Sequence, residues 1–143
     1  MRSFKDHKEN TWDVHLTMGK VELIESRLKI DLLNMGDEKF LLPLFEDDRM
    51  LVALFWSLCE DQAKDKSIDE KGFGHLFDGP TLELCATILM EELVNFFRGS
   101  KKEMTATLLA KTESLLSQKY KSAEERIAGL SLEEIEKQQG NLA

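Results

Sequence analysis

The spacing of apolar residues changes character along the chain. Residues 11–17 alternate, with Trp12, Val14 and Leu16 on one side and polar residues on the other, the period of a half-buried strand. Phe4 precedes the polar stretch Asp6-His7-Lys8-Glu9-Asn10, which can turn the chain back. Together they predict a short N-terminal β-hairpin, with His7 in its turn and His15 on its outward face. From there on the period is helical. Val21, Ile24 and Leu28 repeat at i, i+3, i+7 with Glu22, Glu25 and Arg27 facing outward. Residues 31–36 read as a connector, and Pro43 limits any helix between residues 38 and 45. Asp47 and Asp48 stand where carboxylates favour a helix N-terminus. The segment they open carries Leu51, Leu54, Phe55 and Leu58 on one line and Val52, Trp56, Cys59 and Ala63 on the next. A helix apolar over so much of its circumference is the expected centre of the core, with Trp56 its largest buried side chain.

Capping signals divide the rest of the chain. Ser67-Ile68-Asp69-Glu70 matches a capping box leading to Phe73, and Asp78-Gly79-Pro80 opens a helix with proline in its first turn. That helix places Leu82, Cys85, Ala86, Leu89, Leu93, Phe96 and Phe97 on one face, and Arg98-Gly99 supplies a stop. Ser100-Lys101-Lys102-Glu103 is a further capping box. Beyond it Met104, Leu108 and Leu115 align beside a second line of Leu109, Leu116, Tyr120, Ala123 and Ile127. One amphipathic helix to about Gly129 fits this pattern, although Ser122-Ala123-Glu124-Glu125 offers a second cap that would break it. Ser131-Leu132-Glu133-Glu134 caps a last short helix. The predicted fold is mainly α (α+β): a short β-hairpin, a compact helical bundle and a C-terminal amphipathic extension.

Aromatic residues and charge divide the chain the same way. All eight Phe and both Trp precede residue 98, and Tyr120 is the one aromatic ring after it. Aromatic rings carry the largest burial payload, so residues 1–99 are the expected core domain and residues 100–143 a helical extension. Net charge is −8, of which residues 46–99 carry −7 and the last 44 residues none. A chain so acidic lacks the basic stripe that phosphate binding needs, so no nucleic-acid partner is expected. The opening residues have no secretory apolar stretch. The longest uncharged apolar run, residues 50–59, is about half a bilayer span. A cytoplasmic protein without membrane contact is the expectation. Cys59 and Cys85, in apolar surroundings, read as buried and reduced thiols.

Motifs that could carry chemistry are few and fragmentary. Gly72-Phe73-Gly74 is a fragment of a nucleotide fingerprint, follows no strand, and reads as turn and close-packing chemistry. His75 lies near Cys85 and Asp78 in sequence, but no motif places a nucleophile or orienting partner around it. Adjacent acids such as Asp47-Asp48 and Glu91-Glu92 point about 100° apart on a helix, which makes them poor acid–base pairs. No zinc spacing or calcium loop is present, so no catalytic residue, metal or cofactor is expected. Two features ask for more than a structural reading: the acidic stretch 46–99, and the leucine-rich face of the C-terminal helix. That helix either packs back on the core or is offered to a partner or second subunit. The residues in question are Leu108, Leu109, Leu115, Leu116 and Tyr120.

The order of elements also carries a resemblance. The hairpin Thr11-Trp12, the segment Asp31-Leu32-Leu33, and Asp47-Asp48 are followed by Trp56 to Cys59 with Gln62-Ala63. Then come Phe73-Gly74, Asp78-Gly79 and Asn95-Phe96-Phe97. Over roughly residues 4–120 this pattern resembles the tail assembly chaperones of long-tailed phages and prophages. The resemblance is one of pattern, with no chemically diagnostic motif. It implies a non-enzymatic factor in the host bacterial cytoplasm. Such a factor coats the long, hydrophobic, helical tape measure protein, helps recruit tail tube subunits, and is generally missing from the finished particle. A second reading is a structural virion component such as a head–tail connector or tail-completion protein. A small enzyme is a third, and would show a pocket with convergent polar groups.

Overall fold

The structure, a computed structural model, describes residues 2–34 and 44–129. It is mainly helical with one short antiparallel hairpin at the N-terminus, the predicted class. Strand β1 (Arg2–Lys5) pairs with β2 (Thr11–Val14) in a register that sets Phe4 opposite Trp12 and Ser3 opposite Asp13. Asp6 builds the turn between them. Its Oδ1 accepts from the backbone N–H groups of Lys8 and Asn10 at 2.8 and 3.1 Å, and its Oδ2 accepts from the Trp12 indole at 2.8 Å. Glu9 takes a left-handed conformation, φ 67°, to close the turn. Strand β2 ends earlier than the alternation suggests. Leu16 still faces the core, whereas His15 lies past the strand and Thr17 caps the next helix, accepting from Lys20 N–H at 3.3 Å.

Helix α1 (Met18–Leu28) buries Val21 and Ile24, as their spacing requires, and ends on Lys29 at φ 59°. A turn at Asp31–Asn34 follows, with Leu32 fully buried. The expectation about Pro43 and residues 38–43 lies outside the described residues, as does the short helix from Ser131. Helix α2 (Asp48–Asp65) is capped by the Asp47 carboxylate on Arg49 N–H at 3.0 Å and runs through the middle of the molecule. It meets β2 along the open edge of the hairpin. There the Gln62 side chain brackets Asp13, accepting from its N–H at 2.7 Å and donating to its carbonyl at 2.8 Å. A side-chain amide thus supplies both hydrogen bonds that a third strand would have made, and an open strand edge is closed.

Two caps fall elsewhere than the sequence suggests. Ser67 adopts φ 58° outside the helix, so Asp69 caps α3 (Glu70–Gly74), its carboxylate accepting from Gly72 N–H at 2.7 Å. A Cβ at residue 72 would stand 2.9 Å from that carboxylate oxygen, so a larger residue there would make the Asp69 side chain shift. Asp78 caps helix α4 (Gly79–Phe96) as predicted, accepting from Thr81 N–H and hydroxyl at 3.0 and 2.6 Å. Helix α5 (Ser100–Ala128) has Gly99 rather than Ser100 at its N-cap position. It also runs unbroken through Ser122, since apolar positions continue in phase on both sides.

The core gathers around Phe73, whose ring meets Trp12 at 5.1 Å, Trp56 at 5.3 Å and Phe77 at 4.9 Å between centroids. Phe4 extends the cluster to Phe55 at 5.7 Å. Trp12 is fully buried, whereas Trp56, expected as the largest buried side chain of α2, is only half-buried. Trp56 and Val52 stand half-buried in the first half of the second apolar line of α2, whose Cys59 and Ala63 are fully buried. Charged side chains tie the elements at the rim. Arg2 reaches from β1 to Glu91 at 3.0 Å and Glu92 at 3.5 Å on α4, and Arg27 joins α1 to Glu60 on α2 at 2.7 Å.

Candidate functional site

Helix α5 positions the residues singled out in the sequence. It follows α4 after three residues and packs back against it, so the two helices run antiparallel. Helix α4 has 18 residues and α5 has 29. At 1.5 Å per residue they are roughly 27 and 44 Å long, so the last third of α5 passes beyond the start of α4. Exposure along α5 depends both on which face a side chain occupies and on whether α4 lies beside it.

Over the body, Leu109 is 4% exposed and joins the core; Thr105 and Thr112, one turn to either side, are buried with it. Their hydroxyls donate to Lys101 O at 2.7 Å and Leu108 O at 2.9 Å, so neither is left unsatisfied. Leu108 and Leu116 are half-buried at the margin of this contact. Lys119 donates to Glu46 Oε1 at 2.8 Å near the end of the supported stretch. Past it, Tyr120 is 57% and Ile127 65% exposed, although both continue the line of Leu109. Leu115, on the adjoining line, is 43% exposed. The five residues therefore divide. Leu109 belongs to the core, Leu108 and Leu116 to its margin, and Leu115 and Tyr120 to an open surface.

Ile127 and Met104 are also exposed on this helix, and neither belongs to the five. Ile127 aligns with Tyr120 in the sequence. Its periodicity marks it as apolar, but only the relative lengths of α4 and α5 show that nothing of α4 lies beneath it.

The remaining chemistry-bearing residues have structural roles. His7 and His75 meet through a single contact, His7 Nε2 to the His75 carbonyl at 2.8 Å, which pins the hairpin turn to the loop before α4. Burial pushes the thiols of Cys59 and Cys85 up to about 12, and both are free. Thiolate is strongly disfavoured at each, which suits neither nucleophile nor metal ligand. Among the described residues no group of three or more His, Cys, Asp or Glu is arranged to hold a metal ion. No described helix is long and apolar enough to cross a membrane. An open depression of about 400 Å³ beside α1, lined by Glu22, Glu25, Ser26, Lys29 and Asp31, pairs no base with a nucleophile.

What the geometry offers is an exposed apolar strip, Leu115, Tyr120 and Ile127, on a long helix beside an acidic body. No family model matches the chain, and neither a curated protein nor a solved structure matches it.

Proposed function

We propose that this chain is a non-enzymatic assembly factor of the phage tail assembly chaperone type. It acts in the host bacterial cytoplasm, binding the tape measure protein and assisting tail tube subunits to assemble around it. The overhang of α5 is the observation that carries this reading. Leu115, Tyr120 and Ile127 are open on a helix held in place by Leu109, beside a body that carries most of the negative charge. A helical, hydrophobic partner is met by apolar side chains three and four residues apart, the spacing of Leu116, Tyr120, Ala123 and Ile127, presented without any loop having to order. The acidic body repels other copies of the complex and keeps a hydrophobic client soluble. The chemistry involves no cofactor and no metal.

Co-expression with the tape measure protein of the same phage, followed by pull-down, tests the surface. The full chain should retain the partner, and the double variant Tyr120→Ser, Ile127→Ser should weaken capture by about tenfold or more, each lost anchor contributing of the order of 1 kcal/mol. Its unfolding midpoint should not change, because both side chains are open to solvent. Undiminished capture would remove this strip from the interface. Mass spectrometry of purified particles against infected-cell lysate tests the role. A chaperone is found in the lysate and missing from particles; retention in particles would identify a connector or tail-completion subunit instead.

A further inference from the structure

The joint between α4 and α5 consists of Phe97, Arg98 and Gly99. Gly99 has φ 59° and ψ −134°, a region that only glycine enters without strain. A Cβ at this position would meet no atom within 4 Å, so the requirement for glycine is one of backbone conformation alone. Phe97 is extended, φ −81° and ψ 150°. These two settings turn the chain back on itself. If both relaxed to helical values, α4 and α5 would become one continuous rod, and Gly99 is the one residue between Phe97 and Glu103 that disfavours helix strongly.

The grip of α5 on its own body is slight for its length. Its buried residues are Thr105, Leu109 and Thr112, two of them short side chains. We propose that α5 exchanges between two copies of this chain, each α5 docking on the α4 of the other, with Gly99 as the hinge. The surface is α4, and its partner is a second copy's α5.

The structure supports that choice of occupant over an unrelated helix. The α4 surface already accepts α5 within one chain, so a second copy brings the same small residues to the same places and needs no new complementarity. Charge agrees: residues 100–128 carry six bases and four acids, against a net −7 for residues 46–99, and Lys119 already bonds Glu46 across this contact. A connection of three residues between two long helices leaves little slack, the setting in which exchange between copies arises. Exchange leaves Tyr120 and Ile127 beyond α4, and Leu115 on its open face, as before. Self-association and capture of the tape measure protein are therefore separable, and either can fail alone.

The Lys119–Glu46 pair provides the test. Full-length chains of natural and ¹⁵N-labelled isotopic composition are mixed at high concentration, unfolded and refolded together, treated with a zero-length carbodiimide, and separated by size. In an exchanged dimer, cross-linked peptides joining residues 119 and 46 carry one label of each kind. Such mixed-label peptides are expected in the dimer fraction of the natural sequence. Their complete absence at the highest soluble concentration overturns the proposal, as does a dimer whose 119–46 peptides are all of one label. Gly99→Ala, which forbids the closed turn and favours the rod, should raise the dimer fraction by about tenfold or more at equal concentration. Three flexible residues inserted after Arg98 should lower it by a similar factor. A folded Gly99→Ala chain that stays monomeric would also refute exchange. Should that variant not fold, the natural and insertion forms decide the matter by their mixed-label peptides.

Discussion

Asp6 concentrates several demands in one carboxylate. Burial opposes its ionisation, but the bonds donated by Trp12, Asn10 and Lys8 together outweigh that penalty and hold its pKa below the ordinary aspartate value. Asp6→Ala would leave the indole N–H of a fully buried Trp12 without its acceptor and open the hairpin turn, so a loss of about 2–3 kcal/mol is expected in urea unfolding. Asp6→Asn should recover part of it, since an amide oxygen can still accept from the indole. The two tryptophans make a matched comparison. Trp12→Ala removes a fully enclosed ring set edge-on to Phe73 and should cost about 3–5 kcal/mol. Trp56→Ala removes one with an open side and should cost about 1–2 kcal/mol. Equal losses would show that Trp56 is enclosed in solution. The thiols should be inert in the native protein, since burial pushes both to about 12, and a maleimide should label them only at the rate of unfolding.

At the scale of the elements, α5 is the one whose removal tests the division of the chain. The Phe73 cluster and the rest of the aromatic core lie before residue 98, so a chain ending at Gly99 is expected to fold. It should fold less stably, because the buried contacts of Leu109, Thr105 and Thr112 with the body are lost. It should also self-associate through the apolar surface so uncovered. Near-ultraviolet circular dichroism and light scattering would read the two effects. A truncated chain without native tertiary signal would place α5 in the core and reject a 1–99 domain. The pairing of α2 with the hairpin is a second element-scale feature. Gln62 is legible in the sequence only as a polar residue on a helix, and its role as a stand-in strand appears once Asp13 is 2.7 Å away.

For the molecule as a whole, acid should be the destabilising direction. Besides Asp6, the half-buried Glu60 and the exposed Asp78 are held low. The bond from Arg27 lowers Glu60 and the bond from Thr81 lowers Asp78. Each has a lower pKa in the folded chain than in the unfolded one, so the unfolded chain binds more protons in acid. The contribution is fully present above the ordinary values of about 3.9 and 4.3, and is lost as pH falls through the folded values. The urea midpoint should therefore change little on account of these groups between pH 7 and 5, then decline steadily toward pH 3. A midpoint that holds level to pH 3 would show that these carboxylates keep no such preference in solution. With a net charge of −8 near neutrality, added salt should also raise the midpoint modestly by screening self-repulsion.

Period and composition were enough for the class of fold, the hairpin with Trp12, Val14 and Leu16 inward, the Asp47 and Asp78 caps, and the buried lines of α1, α2 and α4. These depend on neighbours within one or two turns, where a side chain's direction follows from its position in the chain. The choice between Ser67 and Asp69 as a cap was not legible in the same way, because both residue types suit the role and only the backbone at Ser67, φ 58°, removes one of them. Nor was the unequal burial of Trp12 and Trp56, which depends on how α2, α3 and the hairpin close around Phe73. The stripe of α5 shows the boundary most plainly. Leu109, Tyr120 and Ile127 share one line of one helix, and nothing in their spacing distinguishes them. Whether each is core or open surface depends on where α4 begins and ends beside them, a relation between elements that only the tertiary structure decided.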